Sequence, residues 1–274
     1  MVRTISTDHE APVPDVRPLV SPPLKWAGGK RWQVPHLLPI WERHRRRLVE
    51  PFCGGLAVAL GLRPAVALLN DANPHLIAFY NWLKRGLTIR VPLENDPSVY
   101  YASRARFNEL VARGQSPSEE GAALFYYLNR TGYNGLCRFN RQGAFNVPFG
   151  KYRKIGYRRD FAAFRDVFEH WTFTTADFAC LDLRDDDFVY ADPPYDVPFT
   201  GYAKAGFTWH DQVRAAEWLA RHRGPAILVN QATPRILELY RDLGYEVSFL
   251  QAPRRISCTG DRAPAREVLA TRNL

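Results

Sequence analysis

The sequence of 274 residues has no hydrophobic run long enough to cross a membrane. Its first eighteen residues are rich in proline and aspartate and lack the apolar centre of a signal peptide, so residues 1–18 are predicted to form a disordered tail. The cysteines are far apart in sequence: Cys53, Cys137, Cys180 and Cys258. This spacing predicts neither a zinc site nor a disulfide framework. We therefore expect a cytoplasmic protein with reduced thiols, without a bound metal and without a membrane partner. We also expect a monomer.

Acidic residues are absent from one long basic stretch. Between Arg130 and Arg159 there are eight Lys or Arg and no Asp or Glu, and the whole chain has a formal net charge of +9. Aromatic residues are interleaved with these charges: Tyr133, Phe139, Phe145, Phe149, Tyr152 and Tyr157. Basic charge suits the phosphate backbone of a nucleic acid, and aromatic rings suit stacked bases. The alternative is a solubilising basic surface, which rarely contains so many aromatic residues and glycines.

Short apolar stretches alternate with helical patterns along most of the chain. Hydrophobic residues make up 46% of the sequence, enough for a substantial core. Strands are predicted at residues 48–52, 65–69, 172–175, 187–191, 226–230, 245–250 and 267–271. With helices between most of them, the pattern predicts an α/β fold: a doubly wound, mostly parallel sheet with helices on both faces. In that fold, ligands bind beyond the carboxyl ends of the strands.

The pattern changes near Gly86, where turns rich in proline and glycine begin to separate polar helical segments. We place a domain boundary there. Residues 19–85 and 168–274 are predicted to form the sheet-containing domain. Residues 86–167 are predicted to form an inserted, mainly helical domain that carries a β-hairpin loop at residues 139–147.

The first predicted strand is followed by Cys53-Gly54-Gly55 and then by an apolar helix. A strand, a glycine turn and a helix let the backbone approach a cofactor at the helix N-terminus. The second strand leads to Asp71, which is well placed to bind ribose hydroxyls. The alternative role is a cap for the helix that Asn73-Pro74 opens, and both roles could hold. Upstream, Trp26 and Lys30 flank a flexible turn and could wall a small ligand. A core Trp beside a surface Lys is the alternative.

The strand at 187–191 runs directly into Asp192-Pro193-Pro194-Tyr195. The prolines fix φ and remove two backbone donors, which leaves a rigid corner with a carboxylate, carbonyl acceptors and an aromatic face. Such a corner suits a planar substrate that bears an NH2 group. Asp192 and the Pro193 carbonyl can each accept one N–H, and Tyr195 can stack on the ring. The alternative is a strand-ending turn with a solvated Asp.

Two further groups of side chains suit nucleotide recognition. Asp177 and Phe178 follow a predicted strand, where the acid could accept from the amino group of an adenine and the ring could lie on its face. In the basic stretch, a glycine-punctuated loop carries residues that read base edges: Asn134, Arg138 and Asn140. Lys151 and the basic residues just after it are expected to contact phosphates.

Several stretches together resemble the Dam-type DNA adenine methyltransferases (D12 class, alpha group), which place the glycine motif before the recognition region and the DPPY motif after it. The matching pieces are LKWAGGK (24–30), EPFCGG (50–55), NDANPHLI (70–77), NRTGYNGLCRFNRQGAFNVPFGKY (129–152), DF (177–178), DPPY (192–195) and RRISCTGDRA (254–263). They follow the order of the family over nearly the whole chain after residue 20. The long fourth piece is the most specific, whereas DPPY alone is shared with other amino methylases.

The resemblance implies a methyltransferase domain at 19–85 and 168–274 and a DNA target-recognition domain at 86–167. It implies a site-specific enzyme that transfers a methyl group from S-adenosyl-L-methionine to N6 of adenine in double-stranded DNA, within GATC, by base flipping. The catalytic residues would be Asp192, Pro193, Pro194 and Tyr195. The cofactor site would contain Trp26, Lys30, Glu50, Phe52, Gly54, Asp71 for the ribose, Asp177 and Phe178 for the adenine, and Asp192. The DNA-binding residues would be Arg130, Tyr133, Asn134, Leu136, Arg138, Asn140, Pro148, Lys151 and Tyr152.

Three departures from the family pattern stand out. Leu56 occupies the place of a usual second glycine, the segment between Tyr195 and Phe199 is several residues shorter than usual, and Val229 replaces a usual serine before Asn230. None removes a group that the chemistry requires. An N4-cytosine DNA methyltransferase and a catalytically inactive DNA-binding homologue are the alternatives. The former often has Ser in place of Asp192.

Overall fold

Seven strands of the described residues form one sheet, in the order β3-β2-β1-β4-β5-β7-β6. The strands are β1 (Leu48–Glu50), β2 (Ala67–Asn70), β3 (Trp171–Thr174), β4 (Phe188–Ala191), β5 (Ala226–Gln231), β6 (Glu246–Ala252) and β7 (Ala265–Arg272). β1 to β5 are parallel to one another, whereas β7 runs antiparallel to both β5 and β6. The predicted mostly parallel α/β sheet is confirmed.

The computed structural model describes residues 18–196, 206–252 and 265–274. The predicted tail except residue 18, most of the shortened segment after Tyr195, and the RRISCTGDRA piece lie outside the described residues.

The central strands are buried at nearly every position, which explains why each reads as a short continuous apolar run. Leu48 belongs to the hydrophobic core on one face of the sheet, and its neighbour Val49 belongs to the core on the other face. β1 is shorter than the predicted strand 48–52 because the next residue, Pro51, has no N–H to donate to a neighbouring strand.

Eight helices occur in the described part of the chain: α1 (Val34–Arg43), α2 (Ala57–Leu62), α3 (Pro74–Lys84), α4 (Pro97–Ala112), α5 (Glu119–Thr131), α6 (Ala163–Val167), α7 (Trp209–Ala220) and α8 (Pro234–Asp242). α3 and α4 start in the same way: Asn73 and Asp96 accept hydrogen bonds from first-turn N–H groups, and a proline takes the first helical position. Within the described ranges, no helix combines the length and apolar character needed to cross a bilayer.

α4 and α5 belong to the predicted inserted domain, and α5 packs directly against α3. Phe79 of α3 stacks on Tyr126 of α5, with ring centroids 6.0 Å apart, and lies 6.2 Å from Phe125. One continuous hydrophobic core therefore extends from the sheet into this region. Gly86 follows α3 with φ +82°, a conformation that favours glycine. The domain boundary at this point stays a prediction.

The predicted hairpin is a tight antiparallel turn with one isolated bridge, between Phe139 and Phe145. The Asn140 side-chain oxygen closes the turn by accepting hydrogen bonds from the N–H of Gln142 (3.0 Å) and of Ala144 (2.9 Å). The Phe145 ring is buried and lies 6.1 Å from the Phe107 ring of α4. This contact anchors the turn to the inserted helices.

Candidate active site

A cavity of about 800 Å3 lies at the carboxyl ends of β1, β2 and β4. The strand order reverses between β1 and β4, which is where ligands bind in open α/β sheets. All residues predicted for the catalytic corner and the cofactor site line this cavity: Trp26, Lys30, Glu50, Phe52, Gly54, Asp71, Asp177, Phe178, Asp192, Pro193, Pro194 and Tyr195. Segments far apart in sequence therefore meet around one space.

Trp26 packs against the glycine turn that follows β1. A Cβ atom on Gly54 would lie 2.6 Å from Trp26 Nε1, and one on Gly55 would lie 2.7 Å from Trp26 Cβ. Both glycines are therefore required by the close approach of the indole. Leu56, which replaces a usual glycine, adopts the left-handed conformation with φ 60° and is fully buried. The backbone of the turn thus keeps a glycine-like conformation at this position, while the Leu56 side chain packs in the core.

Glu50 ends β1 with its side chain in the cavity wall. Its Oε1 atom is buried and has no hydrogen-bond partner among the described residues. Burial raises the pKa of Glu50 well above its usual value, although a hydrogen bond from the Ala59 backbone opposes this. A carboxyl group in such a place suits a ligand that brings positive charge or hydrogen-bond donors.

Asp71 holds two loops together at the cavity edge. One carboxylate oxygen accepts from Gly54 N–H (3.1 Å) and the other from Asn73 N–H (2.9 Å). Burial raises the pKa of Asp71. The alternative prediction that Asp71 caps the next helix is wrong, because the Asn73 side chain accepts from the N–H groups of His75 and Leu76.

Asp177 is already paired in this structure. Its two oxygens accept hydrogen bonds of 3.0 and 2.8 Å from the Arg214 guanidinium of α7, and Arg214 holds the pKa of Asp177 below its usual value. The same guanidinium lies 4.4 Å from the centre of the Phe178 ring. The motifs did not identify Arg214, because only the packing of α7 on the sheet brings it to this edge.

The corner after β4 is held by Lys30. The Lys30 ammonium lies 3.3 Å from Asp192 Oδ2, donates to the Gly28 carbonyl at 2.8 Å, and lies 4.4 Å from the centre of the Tyr195 ring. The other Asp192 oxygen, Oδ1, is buried without a hydrogen-bond partner among the described residues. Burial raises the pKa of Asp192 to about 6, against the lowering effect of Lys30.

A second set of contacts fixes the corner from behind. The Pro194 carbonyl accepts a 2.7 Å hydrogen bond from Gln212, which in turn accepts 2.9 Å from Asn230 of β5. The Asn230 side-chain oxygen accepts from Asp196 N–H at 3.0 Å. Val229, which replaces the usual serine before Asn230, is fully buried in the core.

Six of the nine predicted DNA-binding residues are exposed to solvent: Tyr133, Asn134, Arg138, Asn140, Pro148 and Lys151. The Arg138 side chain donates to the Asn146 side-chain oxygen at 2.7 Å. The other three are half-buried: Arg130, Leu136 and Tyr152. The Tyr152 hydroxyl donates to the Gly132 carbonyl at 3.1 Å. The exposed residues form a loop surface whose base is fixed by the half-buried ones.

Lys25, which the sequence analysis did not name as a site residue, holds the base of this loop surface next to Trp26. Its ammonium donates to the Arg130 carbonyl at 2.8 Å and lies 3.4 Å from the centre of the Tyr152 ring. Its backbone pairs with the Asn129 side chain through two 2.8 Å hydrogen bonds. Burial, and then the nearby Arg130, lower the pKa of Lys25 to about 8.

The described residues contain no cluster of three or more His, Cys, Asp or Glu that could hold a metal ion. The cavity instead offers carboxylates, aromatic rings and one buried ammonium. This set suits a charged organic ligand with ring systems.

Comparisons with known proteins identify the family of the chain. Residues 26–253 match the family described as D12 class N6 adenine-specific DNA methyltransferase. The chain is 37% identical over 260 residues to a DNA adenine methylase of Vibrio cholerae, covering 86% of this chain and 90% of that protein. It is 36% identical over 270 residues to a DNA adenine methylase of Escherichia coli strain K12, covering 90% and 93%. It is 37% identical over 267 residues to a DNA N-6-adenine-methyltransferase of Escherichia phage P1, covering 89% of this chain and 34% of the phage protein.

The resemblance predicted from the motifs is confirmed, and so is the prediction of an adenine-specific DNA methyltransferase. Because the match extends over most of the chain, we conclude that the protein belongs to the D12 class family of N6 adenine-specific DNA methyltransferases.

Proposed function

We propose that the protein transfers a methyl group from S-adenosyl-L-methionine to N6 of adenine within GATC in double-stranded DNA, after the target base is flipped out of the duplex. Adenine-specific DNA methylation itself follows from the family. The donor, the target sequence and base flipping are the added parts of the proposal.

The observation that carries the proposal is the state of the Asp192 carboxylate. Its Oδ2 atom is occupied by Lys30 at 3.3 Å, while Oδ1 is buried in the cavity wall without a donor from the described residues. A buried acceptor without a donor is unfavourable. A substrate amine supplies the missing N–H, and the Pro193 carbonyl at the same corner can accept the second one.

The charges of the cavity suit a cationic donor. Two of the acids that line it, Glu50 and Asp71, form no ion pair with any described residue. S-adenosyl-L-methionine carries an ammonium and a sulfonium, and when bound it supplies an electrophilic methyl group. Glu50 would accept hydrogen bonds from the N–H donors of the amino acid part of S-adenosyl-L-methionine. Each Asp71 oxygen, which now accepts one backbone N–H, has a further lone pair for a ribose hydroxyl.

The adenine ring of the donor would lie at Asp177 and Phe178. Because Arg214 already pairs with Asp177, the ring amine would share the Asp177 carboxylate with Arg214 or displace it. Phe178 is held by Phe52, with ring centroids 5.3 Å apart, and provides an apolar wall.

The chemical task of the corner is to prepare a weak nucleophile. The lone pair of the adenine amine is delocalised into the ring, and acceptance of its two N–H groups by Asp192 and the Pro193 carbonyl favours a more tetrahedral nitrogen. Tyr195 would stack on the base, while Lys30 holds Asp192 in place. Catalysis is then mainly positioning and electrostatics in a site shielded from water. The target base must leave the duplex to reach this depth.

The exposed loop with Tyr133, Asn134 and Arg138 would read the duplex beside the cavity. Arg recognises guanine through two parallel hydrogen bonds, whereas Asn recognises adenine in the same way. The Asn140 side chain is engaged in closing its own turn, so we expect it to shape the loop rather than to read a base.

The test is methylation-sensitive sequencing of genomic DNA from cells that lack adenine methylation and express the chain, with empty-vector cells as the control. N6-methyladenine at GATC is the expected result. Methyl groups at adenines in another sequence would refute the GATC assignment. Methyl groups on N4 of cytosine would favour the cytosine alternative. DNA without any added methyl group would favour an inactive homologue.

A further inference from the structure

A buried row of side chains leads from β7 to the catalytic corner. Glu267 of β7 lines the cavity and is 7% exposed. Its Oε2 atom accepts a 2.8 Å hydrogen bond from Gln33 Nε2, and Gln33 Oε1 accepts a 2.7 Å hydrogen bond from the Tyr190 hydroxyl. The Gln33 amide is thus hydrogen-bonded at both ends, to Glu267 and to Tyr190. Glu267 is therefore held in a fixed position.

The Tyr195 hydroxyl is the polar group at this end of the corner. It is buried and makes no hydrogen bond of ordinary geometry with a described residue. Burial, and then the Asp192 and Glu267 carboxylates, raise the pKa of Tyr195. The hydroxyl thus keeps its proton and acts as a donor. The Asp192 carboxylate also faces this hydroxyl, since Tyr195 lowers the pKa of Asp192. However, Lys30 occupies Oδ2 of Asp192 and the proposed function assigns Oδ1 to the substrate amine, so Glu267 is the carboxylate that remains for Tyr195.

The sequence around Glu267 makes a purely structural acid unexpected. The next three residues, Val268, Leu269 and Ala270, are all buried core residues. An acid at the start of such an apolar run is unfavourable unless its oxygens find donors. Gln33 supplies one donor to Oε2, and the carboxylate, which lines the cavity, can accept further hydrogen bonds there. The pairing of β7 with β5 and β6 depends on backbone hydrogen bonds, which a change of the Glu267 side chain leaves intact.

We propose that Glu267 is a positioning residue for Tyr195: fixed by Gln33, its carboxylate accepts the tyrosine hydroxyl and sets the plane of the ring on which the target adenine stacks. This inference rests on the proposed function, since it assigns a role in binding the flipped base. Lys30 and the short helical turn that follows it, Arg31–Gln33, then hold two carboxylates at the corner. Lys30 holds Asp192, and Gln33 holds Glu267 behind Tyr195.

The test compares single-turnover methylation of one GATC duplex by four proteins: wild type, Glu267→Gln, Tyr195→Phe and the double variant. Because the two side chains act as a unit, each single change should slow methyl transfer by about tenfold, and the double change should be no slower than the slower single. Affinities for donor and duplex should stay within about threefold, which separates positioning from a general loss of binding. Glu267→Asp, which keeps the charge, should recover part of the rate.

Glu246→Gln is the matched control, because Glu246 is an exposed acid on the neighbouring strand β6. This variant should methylate the duplex at the wild-type rate. A double variant that is slower by the product of the two single effects, or a wild-type rate for Glu267→Gln, would overturn the positioning role while leaving the proposed function intact. A wild type that methylates no adenine would overturn both the positioning role and the proposed function.

If Glu267→Gln does not fold, Gln33→Leu replaces it in the test, since this substitution frees Glu267 without removing its charge. The same non-additivity with Tyr195→Phe is then expected, and an unchanged rate would refute the role.

Discussion

At the scale of single residues, the ionisation of Asp192 depends on Lys30. Burial favours the neutral acid and raises the pKa to about 6, and the ammonium at 3.3 Å opposes this effect. The carboxylate is therefore the main form of Asp192 at neutral pH, although its pKa lies closer to neutral pH than that of an exposed aspartate.

The pH dependence of the reaction should report this carboxylate. Below about pH 6, protonated Asp192 loses an acceptor, so kcat/KM for duplex DNA should fall about tenfold per pH unit and should level off above about pH 7. Lys30→Met should move the midpoint to higher pH, because it removes the group that lowers this pKa. Initial rates from about pH 5 to 8 test both points. A flat profile would contradict the role of Asp192 as an acceptor.

The motifs predicted which acids and rings surround the cavity, but not how they are paired. Asp177 was predicted as a ligand for adenine, and the structure pairs it with Arg214, which is 37 residues away in sequence. Glu267 had a local signal, an acid at the edge of an apolar run, yet its partner Gln33 is 234 residues distant. Such pairs depend on tertiary packing, which local patterns do not encode.

At the scale of elements, the segment between β2 and α3 contacts both the cavity and the exposed loop that carries Arg138. Asp71 lines the cavity, and two residues later the Asn73 side chain donates to Cys137 Sγ at 3.2 Å. The His75 ring at the start of α3 stacks on Phe139, with centroids 4.8 Å apart. The loop is therefore supported by a segment that begins at the cavity.

Loss of the Asn73 side chain should affect both stability and sequence reading. Asn73→Ala removes a helix cap, which should lower the free energy of unfolding by about 1 kcal/mol. It also removes the contact to Cys137, so discrimination between GATC and sites with one changed base should weaken. Asp96→Ala is the control, because Asp96 caps α4 in the same way without touching the loop. Equal effects of the two variants on discrimination would show that the Asn73 contact does not support reading.

Two basic residues of the exposed loop should have different roles, one in reading a base and one in binding phosphate. Arg138→Ala should relax specificity at one base pair, since an Arg–guanine contact discriminates by about 1–3 kcal/mol. Lys151→Ala should weaken binding to all sequences and lower the salt dependence by about one unit. Methylation rates on a panel of duplexes with single substitutions separate the two. If Arg138→Ala slows all of them equally, Arg138 contacts only phosphate and the GATC assignment loses its support.

At the scale of the whole molecule, opposite charges are kept apart. The chain has a net charge of +9, with eight basic and no acidic residues from Arg130 to Arg159, whereas most charged side chains around the cavity are acidic. A basic surface attracts DNA of any sequence, and an acidic cavity favours a cationic donor. The alternation of strands and helices was enough to predict the fold. The hydrophobic core that continues past Gly86 was not predictable, because it joins α3 to α5 through ring contacts between distant segments.

The most direct test of the central claim, methyl transfer to N6 of adenine at the Asp192 corner, is nucleoside mass spectrometry after incubation of a GATC duplex with S-adenosyl-L-methionine labelled in its methyl group. The wild type should place the label on N6 of adenine. Asp192→Ala should place none, while its thermal midpoint stays close to that of the wild type. Label on cytosine, or turnover by Asp192→Ala near the wild-type rate, would contradict the claim.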